Sequence, residues 1–203
     1  MTVATKKYRR SLVVLGVGLL IPFAAHGLML DLTTTGADGY VNGAYFVQAN
    51  PQATGSGLID PFVRVGGNTA VLHGYNTRVN DVFDNGNSDT FNHELLLSAV
   101  PVVSLGGVDY RQFLLDINQT RESPYLSLDE IQVFLSGTPN QGVQTFTGGL
   151  LDLADASLVY RLDGPDTTDN WIRLNYMLNT GSGSGDMFAY IPDSLFASGG
   201  DYV

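Results

Sequence analysis

Residues 156–178 read Ala156-Ser157-Leu158-Val159-Tyr160-Arg161-Leu162, then Asp163-Gly164-Pro165-Asp166-Thr167-Thr168-Asp169-Asn170, then Trp171-Ile172-Arg173-Leu174-Asn175-Tyr176-Met177-Leu178. Both flanks alternate apolar with polar side chains and are rich in β-branched and aromatic residues, the pattern of a strand with one buried face. The middle holds Asp, Gly, Pro and Asn, which supply turn conformations and local side-chain caps. Trp171, Leu174 or Tyr176 and Leu178 share a face only across a bulge, so the strand is defined more sharply than its register.

The same signal recurs outward from this stretch. Val108–Asn118 and Ser127–Ser136 alternate in part, and Leu58–Val65 is a β-rich run whose Pro61 suits an edge strand or a strand start. Gly66-Gly67-Asn68, Asp84-Asn85-Gly86-Asn87, Gly106-Gly107, Gly137-Thr138-Pro139-Asn140, Gly148-Gly149 and Gly181–Gly185 punctuate the chain as turns. No dozen residues keep apolar positions at helical spacing between caps, and the best helical turns are His93–Ala99 and Leu150–Ala156. The expectation is an all-β fold: an antiparallel two-sheet sandwich, jelly-roll-like, with one or two short helical turns and no linker or strict repeat. Its strand aromatics Phe113, Phe134, Trp171 and Phe188 are expected in the core.

The start of the chain has a different character. Lys6, Lys7, Arg9 and Arg10 precede an apolar run from Ser11 to Ala25, and Ala25-His26-Gly27 places small residues three and one positions before a cut after Gly27. That order of charge, apolar run and small residues is an export signal, and the run falls short of the about 20 residues a spanning helix needs. Residues 1–27 are therefore expected to be a signal peptide and 28–203 a single β-sandwich domain, exported to the extracellular space or cell surface. Asp201-Tyr202-Val203 reads like the opening of a further strand, so the domain is expected to continue beyond it.

Without its leader the chain keeps six cations, Arg64, Arg78, Arg111, Arg121, Arg161 and Arg173, against 20 acids, a formal charge of 6 minus 20, or −14. Such a polyanion is repelled by phosphate backbones and anionic lipid, which argues against a nucleic-acid partner and against peripheral membrane binding, and no segment after residue 27 reads as a membrane insertion. Cysteine is absent, which removes disulfides and thiolate metal sites. Of the acids 17 are Asp and 3 are Glu, a bias that suits turns and loop-borne cation sites.

Calcium is the cofactor these loops would suit, because a hard cation collects several oxygen ligands. Asn80–Asp89 is one candidate loop, with Asp81, Asp84, Asn87 and Asp89 as ligands; Thr90 and Leu96 stand where an EF-hand has its glycine and bidentate Glu, which excludes that motif. Asp163, Asp166 and Asp169 form the second, and Asx turns would account for either loop without an ion.

Signals for catalysis are thin. The three glutamates, Glu94, Glu122 and Glu130, are scattered, Ser182 and Ser184 do not fit the nucleophile-elbow spacing, and His73 and His93 lack a zinc-motif partner. The reading is a non-catalytic extracellular or matrix-associated protein, stabilised by calcium, with a role in adhesion and exopolysaccharide or envelope glycan as partner. The alternative is a secreted hydrolase acting on polysaccharide, with its carboxylate pair among the aspartates.

Three stretches carry a family likeness: Gly107-Val108-Asp109-Tyr110-Arg111-Gln112-Phe113-Leu114-Leu115-Asp116-Ile117-Asn118, Leu126-Ser127-Leu128-Asp129-Glu130-Ile131-Gln132-Val133-Phe134, and Gly181-Ser182-Gly183-Ser184-Gly185-Asp186-Met187-Phe188. They resemble exported bacterial proteins sorted by a PEP-CTERM tail, in the subset with an uncharacterised extracellular region. The resemblance covers about half the chain and implies export, exosortase-type sorting and association with envelope or exopolysaccharide matrix, with no enzymatic activity. This chain departs from the pattern in having no Pro-Glu-Pro-like motif, terminal apolar helix or basic tail.

Overall fold

The computed structural model describes residues 27–49, 60–164, 168–181 and 183–203. All of the expected signal peptide but Gly27 therefore lies outside the described residues, as do Leu58, Ile59 and Asp166.

Three hairpins give the fold its local scaffolding. β2 (Asp38–Val41) and β3 (Ala44–Gln48) are joined by Asn42-Gly43, both at positive φ (45° and 85°). Two successive left-handed residues match the right-handed twist of the strands they connect, and Asn-Gly adopts them at least cost. Gly106-Gly107 likewise joins β4 (Val102–Leu105) to β5 (Val108–Leu115), and Gly148-Gly149 joins β8 (Phe146–Thr147) to β9 (Leu150–Leu151).

The remaining strands are β1 (Met29–Asp31), β6 (Tyr125–Leu128), β7 (Gln132–Ser136), β10 (Ala156–Arg161), β11 (Trp171–Asn175) and β12 (Met187–Pro192). Among the described residues they make four sheets: five strands in the order β2-β3-β12-β5-β4, three in the order β1-β11-β6, and the pairs β7-β10 and β8-β9. Pairing is antiparallel except between β1 and β11. Short 3-10 turns occupy Leu97–Ala99, Tyr176–Leu178 and Asp193–Phe196.

One apolar cluster is shared across the five-stranded sheet, the β1-β11-β6 sheet and the β7-β10 pair. Val41, Ala44 and Phe46 from the β2-β3 hairpin and Met187, Ala189 and Ile191 from β12 meet Val133 and Leu135 of β7, Tyr160 of β10 and Ile172 and Leu174 of β11. Phe46, Leu135 and Ile172 are fully buried. A bulge between Leu158 and Tyr160 turns Tyr160 inward, where its hydroxyl donates to the Val41 carbonyl at 3.0 Å and its ring lies 6.3 Å from that of Phe46.

The expected all-β class is observed, with its short helical turns, but not the division into two sheets. The run Ser127–Ser136 is interrupted at Asp129-Glu130-Ile131, so β6 and β7 enter different sheets. The Glu130 carboxylate fills this break: Oε1 accepts from the amides of Ile131 at 3.0 Å and Leu162 at 3.1 Å, and Oε2 accepts from Arg161 Nε at 2.7 Å. β10 and β11, which flank the Asp163–Asn170 turn, also part company, so that connection crosses between sheets rather than closing a hairpin.

Other expectations are corrected. Residues 60–65 form no strand beyond an isolated bridge from Val65 to Asn85, because Pro61 removes a ladder donor at the start of the run. Leu150–Leu151 is a strand, the Gly-Gly turn before it pairing it with β8 instead of opening a helix. Phe113, Phe134, Trp171 and Phe188 are all half-buried, whereas Phe46, Tyr160, Phe196 and Tyr110 are the buried aromatics.

Truncating Phe46 to Ala should cost about 3–5 kcal/mol in urea unfolding, as for other buried aromatics that leave a cavity. Replacing Glu130 by Ala should cost about 2 kcal/mol, because it removes the acceptor of the Ile131 amide and the partner of Arg161, while the Leu162 amide keeps the Ile131 carbonyl.

Candidate functional site

Strand alternation sorts the five-stranded sheet into two faces. Ala44, Phe46 and Gln48 of β3 and Met187, Ala189 and Ile191 of β12 turn inward, so their neighbours Tyr45, Val47, Phe188 and Tyr190 turn outward. Tyr40 pairs with Tyr45 across β2-β3, and Tyr45 with Tyr190 across β3-β12. The outer face thus carries an aromatic row. Ring centroids are 4.7 Å apart for Tyr40–Tyr45, 6.0 Å for Tyr45–Tyr190, 5.8 Å for Phe188–Tyr190 and 6.4 Å for Tyr110–Tyr190.

Tyr40 is 61% exposed, while Tyr45, Phe188 and Tyr190 are half-buried by one another. Burial, with the negative charge of Asp38 beside it, raises the Tyr45 pKa; burial raises that of Tyr190 against the opposing hydrogen bond of Gln112. Gln112 Nε2 stands 3.4 Å from the Tyr190 hydroxyl. The row therefore offers flat apolar rings with neutral hydroxyls, an amide and a carboxylate at its margin. Phe188, expected in the core, instead lies on the outward face with Tyr190, and the alternation along Met187-Phe188-Ala189-Tyr190-Ile191 is the signal that assigns both faces.

A second polar group sits at the end of this sheet where β5 and β12 meet. Asp186 is 3% exposed, and its Oδ2 accepts from the Ile117 amide at 2.7 Å. Asp116 Oδ2 accepts from the Gly183 amide at 2.6 Å. Asn179, 4% exposed, donates through Nδ2 to the carbonyls of Ala49 and Gly185, each at 2.7 Å. The remaining oxygen of all three, Oδ1, is buried and finds no hydrogen-bond partner among the described residues. Burial, with the neighbouring Asp116 charge adding to it, pushes the Asp186 pKa up to about 7 against the Ile117 hydrogen bond.

The loops chosen from sequence are occupied with their own backbone. Asp81 and Asn87 do come together, Asn87 Nδ2 donating to Asp81 Oδ1 at 2.8 Å and the Asp81 amide to Asn87 Oδ1 at 3.0 Å. Asp84 turns away, its Oδ2 accepting from the His73 amide at 2.8 Å, and the backbone carbonyl of Asp89 faces His93 Nδ1 at 3.2 Å. Asp163 Oδ1 caps the Asn170 amide at 2.8 Å and its Oδ2 lies 3.4 Å from Arg161, while Asp169 is exposed and Asp166 lies outside the described residues. Among the described residues no three His, Cys, Asp or Glu side chains gather to hold an ion. A shallow cleft of about 370 Å³ lies between Leu96, Leu97, Ser98, Arg111, Asp201 and Tyr202, and its Arg111 is already committed to Asp193 at 2.6 Å.

No protein-family model, curated protein or solved structure matches the chain. Among the described residues no helix is long and apolar enough to cross a membrane.

Asp186 gives the ion-free protein a pH signature. Its folded pKa is raised above the unfolded value of 3.8, so between about 4 and 7 the folded chain holds a proton that the unfolded chain has lost. The stability it contributes is complete below the lower value and lost as pH rises through the upper one. In chelator-treated protein, Asp186→Asn should raise the Tm markedly at pH 8 and by much less at pH 5, where only the first part of the penalty has accumulated, measured by circular dichroism melts. An equal difference at both pH values would contradict the assignment.

Proposed function

We propose that this chain is a non-catalytic exported protein of the cell surface or exopolysaccharide matrix, and that the tyrosine row binds glycan. The supporting observation is the Tyr40–Tyr45–Tyr190 row on the outward face of the five-stranded sheet. With Tyr40 61% exposed and Tyr45 and Tyr190 half-buried, the row presents apolar ring faces with hydroxyls at their edges, a surface that suits the mixed apolar and polar faces of sugar rings. Asp38 and Gln112 at the margin supply an acceptor and a donor for sugar hydroxyls. Export rests on the charged and apolar pattern of residues 1–27 and on the PEP-CTERM-like stretches.

In this reading the domain is a sandwich whose second layer is assembled from β1-β11-β6 and β7-β10 facing the five-stranded sheet, as their shared apolar cluster supports. Calcium stabilises it, offsetting the mutual repulsion of 20 acids. The same charge favours neutral glycans over acidic ones.

The test is affinity electrophoresis of residues 28–203 through gels containing purified neutral and acidic exopolysaccharides. Retardation by a neutral glycan, lost at least tenfold in the double variant Tyr40→Ala, Tyr190→Ala without loss of folded structure, is the expected result. No retardation by any glycan, or equal retardation of the variant, would count against the reading, and released reducing sugar would replace it with a hydrolase.

A further inference from the structure

We infer that Asp116, Asn179 and Asp186 form a divalent-cation site, with calcium as its ion. The inference deepens the calcium part of the proposed function, moves the ion away from the loops chosen from sequence, and stands independently of glycan binding.

Three features carry it. The first is the donor set: two carboxylates and a side-chain amide oxygen, all hard oxygen ligands of the kind calcium takes six to eight of. The second is that each has one polar atom committed, Oδ2 of the aspartates and Nδ2 of Asn179, while its Oδ1 is buried without a partner among the described residues; Asp186 and Asn179 are only 3% and 4% exposed, and Asp116 is half-buried. A buried carboxylate oxygen left unpaired carries its full desolvation cost, so two such aspartates with an orphan amide oxygen beside them need a positive charge.

The third is rigidity. Asp186 is fixed through its amide to the Leu115 carbonyl at 2.6 Å, its carbonyl to the Ala49 amide at 2.8 Å and its Oδ2 to Ile117. Asn179 is fixed by the Ala49 and Gly185 carbonyls, and Asp116 by the Gly183 amide. The committed atoms hold the ends of β3, β5 and β12 together, so an ion on the free oxygens would brace three adjacent strands of one sheet. By contrast, Asp81 and Asn87 satisfy each other and Asp84 satisfies a backbone amide, which leaves those loops little call for an ion.

Two carboxylates give a modest charge, so the affinity belongs with extracellular modules, at a Kd of about 10⁻⁴–10⁻³ M. Magnesium, which demands near-ideal octahedral geometry and dehydrates reluctantly, should bind more weakly.

The experiment is isothermal titration of calcium chloride into chelator-treated residues 28–203 at pH 7.5, with melts alongside. Wild type should bind one calcium saturably and melt several degrees higher in calcium, with a smaller shift in magnesium. Asp186→Asn and Asp116→Asn should each weaken calcium at least tenfold, and both keep a cooperative melt because Asn preserves shape and can still accept the Ile117 or Gly183 amide. Asp84→Asn should bind like wild type. Absence of saturable calcium binding by wild type overturns the proposal, as does undiminished binding by both corner variants; loss of binding in Asp84→Asn alone returns the ion to the loop. The Tyr40→Ala, Tyr190→Ala variant should bind calcium normally, so failure of the glycan reading and failure of the ion site are read separately.

Discussion

The two-residue alternation along β12 is the constraint on which the rest of the structure depends. This strand lies in the middle of the five-stranded sheet, bonded to β3 on one side and β5 on the other, so its pleat cannot slip without breaking both ladders. With Met187, Ala189 and Ile191 inward, the core against β7, β10 and β11 is set. With Phe188 and Tyr190 outward, the aromatic row is set by the same choice. Asp186, the residue before the strand, then falls beside Asp116, which follows β5 directly. Core, tyrosine face and acidic corner are three consequences of one register.

The opposite side of the core is less regular because its strands diverge around a partly buried charge. Glu130 supplements the ladder with its carboxylate, accepting from the Ile131 amide and sharing the Leu162 amide with the Ile131 carbonyl, and Arg161 compensates its charge. The pair is about a quarter exposed, so its value lies in satisfying backbone amides more than in the ion pair itself. Asn170 does similar work at the other end of the crossing connection, accepting from the Leu28 amide and donating to the Leu162 carbonyl, each at 2.8 Å.

Much of the β content is legible in the sequence because alternation and Gly-rich turns are local signals. β5, β10 and β11 lie within runs that alternate, and the Gly-Gly turns mark two of the three tight hairpins. The β2-β3 hairpin was equally marked by Val41-Asn42-Gly43-Ala44, a signal passed over beside the louder apolar runs. Sheet membership was not legible: β10 and β11 look like partners by proximity, and only tertiary contacts send them to different sheets. The same limit governs the sites. Asp81 and Asp163 attract notice because they are crowded by other polar residues, yet crowding lets Asx residues satisfy one another and nearby amides. Asp116, Asn179 and Asp186 are spread over 70 positions of sequence and become neighbours only through the β5-β12 ladder.

The carboxylates divide into kinds that sequence composition alone does not separate. Some replace missing backbone acceptors, as Glu130 and Asp163 do; some neutralise a cation, as Asp193 does for Arg111, whose guanidinium also donates to the carbonyls of Leu97 and Val100. In both kinds the fold supplies a donor for the charge. Asp116 and Asp186 are given one amide each and then stand side by side with Oδ1 of both buried, and the only cations the chain has after residue 27 are six arginines, none of them bonded to either aspartate among the described residues. A protein so poor in cations has two means of burying such a pair: a proton, which the raised pKa of Asp186 makes available near neutrality, or an ion from the medium. The proton satisfies one oxygen, whereas the cation site proposed above would engage all three orphan oxygens.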